Sequence, residues 1–125
     1  CLEALCSGPA IAERGRNEVK GFGEQMTAKG VFDLARCGNR AAVRIVRETA
    51  DYLGMGIATT INTLAPDMVI VGGGVARAGK ALFDPLRACV RRRVMPVHRS
   101  SVRIVRAKRG DRAVLLGAAV MALKV

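Results

Sequence analysis

Three consecutive glycines after an apolar run form the feature of this chain with the clearest chemical potential. The run Met68–Val71 is followed directly by Gly72, Gly73, Gly74 and Val75. Because glycines leave the backbone bare, a flat ligand can approach it closely and meet N–H groups near the start of the next helix. The loop therefore predicts a ligand site that would suit a nucleotide. A tight strand-to-helix turn without a ligand is the alternative.

The residues from Gly74 onward also approach the pattern of a P-loop. They read G-x-x-x-x-G-K, but Lys80 is followed by Ala81. A P-loop needs a Ser or Thr hydroxyl at that position to hold Mg²⁺, and no second strand ending in an aspartate completes the metal site. Arg77 also breaks the G-x-G-x-x-G spacing of a dinucleotide fold. We therefore expect neither a P-loop nor a Rossmann site.

Other side chains that could do acid, base or nucleophilic chemistry are scattered. His98 is the single histidine, in a basic loop without a neighbouring Ser or Cys, so a catalytic triad is not supported and a surface position is expected. No two carboxylates are paired by sequence. Asp67 is interpreted as a turn residue and Asp111 as a helix N-cap.

The four cysteines match neither a C-x-x-C metal knuckle nor a compact disulfide framework. We expect reduced thiols in a cytoplasmic protein, with Cys6, Cys37 and Cys89 as small core residues. Cys1 is different, because its partners could lie outside this chain.

Helical periodicity dominates the elements that must position the glycine loop. The second half of the longest predicted helix, Leu53 to Ile61, should be buried, and Gly54 and Gly56 should permit close approach of another element. The full prediction is two short helices between Leu2 and Arg14, a short helix from Thr27 to Gly38, a long helix over 40–64 capped by Asn39, a strand at Met68–Val71 buried on both faces, a helix over 79–94, a half-exposed strand at 102–105 and an apolar helix over 113–123.

Two strands with four or five helices make a poor independent fold, because a lone strand pair can neither satisfy its edges nor cover both faces. The chain also starts at Cys1 without an initiator Met. We therefore predict the C-terminal part of a larger α/β protein, incomplete on its own.

The charge is strongly uneven along the chain. The formal net charge is +11, and residues 77–112 hold twelve of the Lys and Arg residues against two aspartates. A basic tract can bind nucleic acid, anionic lipid or phosphorylated ligands, or be a solvated face without a partner. Because the basic stretch 87–112 has no aromatic residue for stacking bases, we favour a solvated or phosphate-facing surface. Neither a membrane span nor a signal peptide is recognisable.

Several segments resemble the ROK family of repressors, open reading frames and sugar kinases. The opening Cys1-Leu-Glu-Ala-Leu-Cys-Ser-Gly-Pro-Ala-Ile-Ala is similar to the segment that closes the family's zinc motif, C-x-C-G-x-x-G-C-x-E. The stretch from Asn62 to Val75 resembles its long helix and adenosine loop, and residues 117–123 its terminal helix. Bacterial glucokinases are the nearest members by this resemblance.

The resemblance implies an actin-like, ribonuclease H-like ATPase fold with the chain as its C-terminal portion. Its segments would be the end of the zinc motif with the following helices (1–14), the long helix (40–64), the strand, glycine loop and helix (68–95), and the last strand with the terminal helix (101–125). It implies Cys1 as one ligand of a structural Zn²⁺, Glu3 as a sugar contact, and Gly72, Gly73, Gly74 and Val75 as the loop under adenosine.

The family's phosphate-binding D-x-G-G-T, its catalytic Asn-Asp, its second glycine-rich phosphate loop and its E-x-G-H are absent from these residues. The first hypothesis is therefore the C-terminal part of an ATP- and Mg²⁺-dependent hexose kinase, with glucose as the expected sugar, and we expect it to be inactive as an isolated piece. The second is the sugar-sensing domain of a ROK repressor, and the third a basic nucleic-acid-binding module. The resemblance favours a homodimer. The expected partners are a hexose, ATP and the N-terminal part of the same protein; we expect no membrane partner, and nucleic acid only if the protein is a repressor.

Overall fold

The computed structural model describes residues 1–108, 110 and 112–123 of the chain. Helices make up most of it, and a parallel pair of short strands forms the sheet. The helices are α1 (Leu2–Cys6), α2 (Gly8–Glu18), α3 (Ala28–Arg36), α4 (Arg40–Leu64), α5 (Lys80–Arg93) and α6 (Arg112–Ala122), the strands are β1 (Met68–Val71) and β2 (Arg103–Arg106), and single 3₁₀ turns lie at Gly23–Gln25, Val75–Ala78 and Pro96–His98.

Side-chain caps fix the start of three helices. The side-chain oxygens of Ser7, Thr27 and Asn39 each accept a hydrogen bond from the backbone N–H three residues on, at 3.3, 3.1 and 3.0 Å. Such a cap stabilises a helix by about 1 kcal/mol. The predicted caps at Thr27 and Asn39 are confirmed. The long helix ends at Ala65, whose left-handed backbone (φ 47°, ψ 48°) turns the chain toward β1.

The core lies in a layer of helices around α4, which packs against α5, α3, α2 and α1. Large apolar side chains of α2, α3, α4 and α5 are completely buried, among them Ile11, Val31, Ile45, Ile61, Leu82 and Leu86. Gly54 permits a close approach between α4 and α5, because a Cβ there would lie 2.7 Å from Sγ of Cys89 on α5. The predicted close approach at this glycine is confirmed.

The two strands run parallel and are connected through α5, with Met68 opposite Arg103 and Val71 opposite Arg106. Val69 and Val71 pack against the helical core, whereas Met68 and Ile70 are 38% and 63% exposed. The prediction that β1 is buried on both faces is therefore wrong. Successive side chains of a strand point to opposite faces, and the helices of this chain cover one face of the sheet.

Further sequence-based predictions need correction. Cys37 is exposed at the C-terminal cap of α3, while Cys89 is buried as predicted and Cys6 is half-buried. In α4, Met55, Thr59 and Thr60 are exposed, so the helix is not buried all round after Leu53. Neighbouring helices pack against one side of α4, so its opposite side stays exposed even where the residues are small or apolar. His98 is half-buried in a 3₁₀ turn rather than fully at the surface. Asp111 lies outside the described residues, so its predicted capping role has no counterpart here.

The apolar helix predicted near the end is confirmed as α6, although its surroundings are unlike those of the other helices. Its side chains from residue 115 to residue 122 are exposed, and Leu115 and Met121 are 73% and 69% exposed. The described part of the chain therefore leaves α6 without an apolar partner along this stretch.

Candidate functional site

The glycine loop presents bare backbone at the C-terminal end of β1. Gly72, Gly73 and Gly74 are all exposed. Gly73 has a left-handed backbone with φ +84°, which disfavours any residue with a Cβ. Gly74 has ordinary helical angles (φ −60°, ψ −39°), and a Cβ added there would meet nothing within 4 Å. The space above Gly74 is thus open to a ligand.

The loop then closes into the 3₁₀ turn Val75–Ala78 instead of continuing as a phosphate-binding loop. The backbone N–H of Arg77 donates to the carbonyl of Gly74 at 3.1 Å, and that of Gly79 donates to Ala76 at 3.3 Å. These donors are used within the turn, whereas a P-loop directs successive backbone N–H groups at phosphate. The geometry agrees with the expectation that Gly74 to Ala81 is not a P-loop.

A first cavity, the α1 cavity, opens on one side of the glycine loop with a volume of about 390 Å³. Glu3 lines it from the first turn of α1, opposite Gly72, Gly73, Gly74 and Val75. The sugar contact and the glycine loop implied by the resemblance therefore lie on the walls of one cavity. Leu2, Cys6, Ser7, Gly8, Leu53, Val71, Ala76 and Leu82 complete its lining.

Two contacts hold α1 against α4 and so position the carboxylate of Glu3. Leu2 packs on Gly56, where an added Cβ would lie 3.1 Å from Cδ2 of the leucine. At the other end of α1, Sγ of Cys6 donates to the carbonyl of Thr49 at 3.5 Å. Burial raises the pKa of the Cys6 thiol, so this group stays protonated at neutral pH and acts as a packing residue rather than a nucleophile.

A second cavity, the α3 cavity, lies on the other side of the same loop and is larger, about 630 Å³. Gly74 and Val75 of the loop line both cavities, as does Gly8 at the start of α2. The floor includes the buried ring of Phe32, and Thr27 lies at the N-terminal end of α3. The first residues of α2 complete that wall, so two helix N-termini face the cavity and favour negative charge there. The remaining lining residues are Ala28, Lys29, Asp33, Arg36, Arg77 and Ala78.

Charged side chains of α3 form a network at the mouth of the α3 cavity. Nζ of Lys29 donates to Asp33 at 2.6 Å, and Arg36 pairs with the other oxygen of the same carboxylate. The hydrogen bond from Lys29, reinforced by the charge of Arg36, lowers the pKa of Asp33. Arg36 also donates to the carbonyl of Ala78 at 3.0 Å, which ties α3 to the turn after the glycine loop.

Sequence reasoning missed this second wall of the site. It interpreted Thr27 as a helix cap only and assigned no role to Phe32. A usable signal was present, because Lys29, Asp33 and Arg36 follow one another at i, i+4 and i+7, the spacing of a charged strip on one helix face.

Cys1 does not belong to either cavity. It is exposed at the N-terminal end of α1. In the part of the chain that the structure describes, no three His, Cys, Asp or Glu side chains come close enough to hold a metal ion. A tetrahedral zinc site needs four such donors, so these residues alone do not fit one, and Cys1 could serve only with donors from elsewhere.

Comparison with known proteins decides the family. The ROK family profile matches residues 1–125. The chain belongs to the ROK family. Glucokinases from Thermotoga maritima and Halalkalibacterium halodurans are 37% and 34% identical to it over 95% and 70% of its length. The Escherichia coli regulator NagC is 25% identical over 92%.

Solved structures of ROK proteins agree with this assignment. A Streptomyces griseus ROK glucokinase, determined with glucose and AMPPNP, covers the whole chain with a TM-score of 0.87 at 29% identity. The Thermus thermophilus ROK hexokinase covers 99% with a TM-score of 0.79 at 31% identity, and a ROK transcriptional regulator covers 85% with a TM-score of 0.70 at 26% identity. The predicted helix-rich α/β architecture of the actin-like ATPase fold is confirmed.

The chain spans less than half of these relatives, 41% of the Thermotoga maritima enzyme and 45% of the Streptomyces griseus chain. Repressors and kinases both match it, so family membership alone does not separate the two functions. Among the helices that the structure describes, none has the length and apolarity needed to cross a membrane.

Proposed function

We propose that this chain supplies sugar and adenosine contacts to an ATP-dependent hexose kinase of the glucokinase type. The observation that carries the proposal is the shared wall: Gly74 and Val75 line two cavities, one with Glu3 and one with the α3 residues. A kinase must hold two substrates side by side. Cavities of about 390 and 630 Å³ fall within the usual size of small-ligand sites, roughly 300 to 1,000 Å³.

The sugar is assigned to the α1 cavity. A carboxylate accepts hydrogen bonds from hydroxyl groups, and Glu3 is the acidic residue among those lining this cavity in the described structure. The adenosine is assigned to the α3 cavity, where Phe32 supplies an apolar surface and the helix N-termini favour the phosphate end. Glucose is the proposed sugar, because the relatives from Thermotoga maritima and Halalkalibacterium halodurans are glucokinases.

Bound ATP supplies the γ-phosphoryl group, while this chain binds and orients. Transfer to a sugar hydroxyl also needs a general base and a Mg²⁺ site. We assign neither to these residues and expect the isolated chain to be inactive in a glucose phosphorylation assay. Catalytic and Mg²⁺-binding residues, a dimeric assembly and a cytoplasmic location remain parts of the proposal that concern the whole protein.

The sharpest test substitutes two neighbouring glycines. Gly74→Ala puts a methyl group into open space on the shared wall, so it should leave stability unchanged and weaken AMPPNP binding about tenfold or more. Gly73→Ala is the matched control, because its left-handed backbone should cost about 1–2 kcal/mol of stability. Titration calorimetry and chemical denaturation of the chain measure both quantities.

The same pair can be assayed for catalysis in a chimera in which this chain replaces the matching segment of the Thermotoga maritima glucokinase. Gly74→Ala should raise the KM for ATP there. Unchanged AMPPNP affinity and an unchanged KM for ATP in Gly74→Ala would contradict the assignment of this loop to nucleotide.

A repressor is the second candidate function, favoured by the NagC match over 92% of the chain and by the ROK regulator structure. It predicts that hexose binds and AMPPNP does not, because a sugar-sensing domain needs no second substrate. Calorimetry with both ligands separates the two functions.

We propose Cys1 as a zinc ligand only in a longer protein that supplies the other ligands of the site. Cys1→Ser should then reduce zinc content measured by atomic absorption, whereas Cys37→Ser, at another exposed thiol, should not.

A further inference from the structure

A third concave surface lies between α5 and β2 and shares no lining residue with the α1 and α3 cavities. We call it the arginine groove. It has a volume of about 340 Å³, and its lining joins four arginines to apolar side chains: Arg87, Arg91, Arg99 and Arg103 with Val90 and Val94. Among the described residues, no Asp or Glu lines it. The groove is therefore a concave site of single charge sign.

Two of these arginines are held in place by backbone carbonyls. Nε and Nη2 of Arg87 donate to Ile104 at 3.3 and 3.0 Å, and the guanidinium lies 5.3 Å from the ring centre of Phe83. Nε of Arg99 donates to Val94 at 3.2 Å. A guanidinium has five N–H donors, so each keeps donors for a ligand. Fixed donors also lose less conformational entropy on binding.

The other two, Arg91 and Arg103, are exposed, and within the described structure their side chains have no hydrogen-bond or ion-pair partner. A helix C-terminus favours basic residues, which would account for Arg91 in the last turn of α5. It does not account for Arg99 and Arg103, which follow the helix and approach the same groove from the strand side. The convergence of separate segments distinguishes this groove from a basic helix end.

The position of the groove separates it from the proposed kinase site. The two strands are parallel, and the glycine loop follows the C-terminal end of β1. Arg99 precedes β2 and Arg103 begins it, so both lie at the N-terminal end of the strands, opposite the end that carries the glycine loop. A ligand here is thus additional to sugar and nucleotide, and the inference stands independently of the proposed function.

The lining also indicates the class of ligand. Arginine donors match phosphate oxygens in pairs, and the valines offer an apolar surface to the rest of a molecule. Sites for single-stranded nucleic acid usually carry aromatic side chains on which bases stack, and among the lining residues there are none. The negative end of the α5 dipole opposes an anion, so the guanidiniums must outweigh it.

We propose that the arginine groove binds a small organic phosphate, with Arg91 and Arg103 donating to the phosphate oxygens and Val90 and Val94 contacting the organic part. Arg87 and Arg99 supply fixed positive charge on either side.

The test uses phenyl phosphate as a probe of phosphate plus apolar group, titrated into the chain and followed by amide NMR shifts. The double variant Arg91→Gln/Arg103→Gln should weaken binding about tenfold or more, since charge-assisted hydrogen bonds are lost. The double variant Arg47→Gln/Arg92→Gln removes the same charge at exposed positions outside the groove and should change affinity less than about twofold.

Three results would overturn the proposal. Equal weakening by both double variants would reduce the effect to net charge. If inorganic phosphate bound as tightly as phenyl phosphate, the valines would not contribute to binding and the ligand would not be an organic phosphate. Binding of random duplex DNA at the same residues, with no shift from phenyl phosphate, would assign the groove to nucleic acid.

Discussion

The helical layer and the sheet differ in how much of their apolar surface this chain covers by itself. Ile45 on α4 is completely buried, whereas Ile70 on β1 is 63% exposed. Ile45 belongs to the regular apolar repeat of an amphipathic helix, and Ile70 to a short apolar run. The difference shows that α2 to α5 bury a core within this chain, whereas the described residues leave the outer face of β1 uncovered.

The largest expected effect comes from truncating one isoleucine in each region. Ile45→Ala should cost about 2–5 kcal/mol of unfolding free energy, because it removes buried methyl groups and leaves a cavity. Ile70→Ala should cost less than about 1 kcal/mol, because its side chain is already mostly in water. Urea denaturation of both variants measures the contrast, and similar losses would show that the exposed face of β1 is covered in solution.

A smaller contrast separates two glycines within α4. Gly54→Ala forces a Cβ to 2.7 Å from the sulfur of the buried Cys89, so about 1–3 kcal/mol should be lost through overpacking. Gly56→Ala meets the flexible end of Leu2 at 3.1 Å, and the gain in helix propensity should offset most of that contact.

Thermal unfolding of the two glycine variants gives the comparison directly. A Gly56→Ala protein as unstable as Gly54→Ala would show that α1 is packed as rigidly as α5. That result would mean that α1, which carries Glu3, is part of the tightly packed core.

The smallest effect concerns the surface of the helical layer at Asp33. The hydrogen bond from Lys29 and the charges of Lys29 and Arg36 hold the folded-state pKa of this carboxyl below its ordinary value of 3.8. Its contribution to stability is therefore complete above pH 3.8 and is lost as the pH falls through the lower folded-state value.

Carboxyl NMR titration tests the cause of this shift. Lys29→Met should move the pKa of Asp33 back toward 3.8, and Arg36→Met should move it less, since Lys29 makes the leading contribution. An unchanged pKa in Lys29→Met would mean that the ion pair is absent in solution.

The local structure could be predicted from sequence where one short segment determines it. Thr27 and Asn39 lie where helix caps are needed, and α4 follows a regular apolar repeat, so their positions are confirmed. The exposure of Met68, Ile70 and Cys37 could not be predicted, because the exposed fraction of a side chain depends on which distant element covers it.

The candidate site divides in the same way. The exposed glycine loop was visible as three adjacent residues, and Glu3 came from the family resemblance. The wall formed by Phe32 and Lys29 was not visible, because α3 meets the loop only after the chain has turned back through α4 and β1.

The shared wall made by Gly74 and Val75 limits how a protein with this fold can diverge. A wall made largely of backbone offers the same peptide groups whatever residues surround it, so substitutions in the loop cannot easily retune what binds. Altered ligand preference must instead come from the facing helices, through positions such as Glu3 on one side and Phe32 or Lys29 on the other. Descendants of one ancestor could thus exchange one ligand for another, or abandon one of the two, while the loop between the cavities stays unchanged.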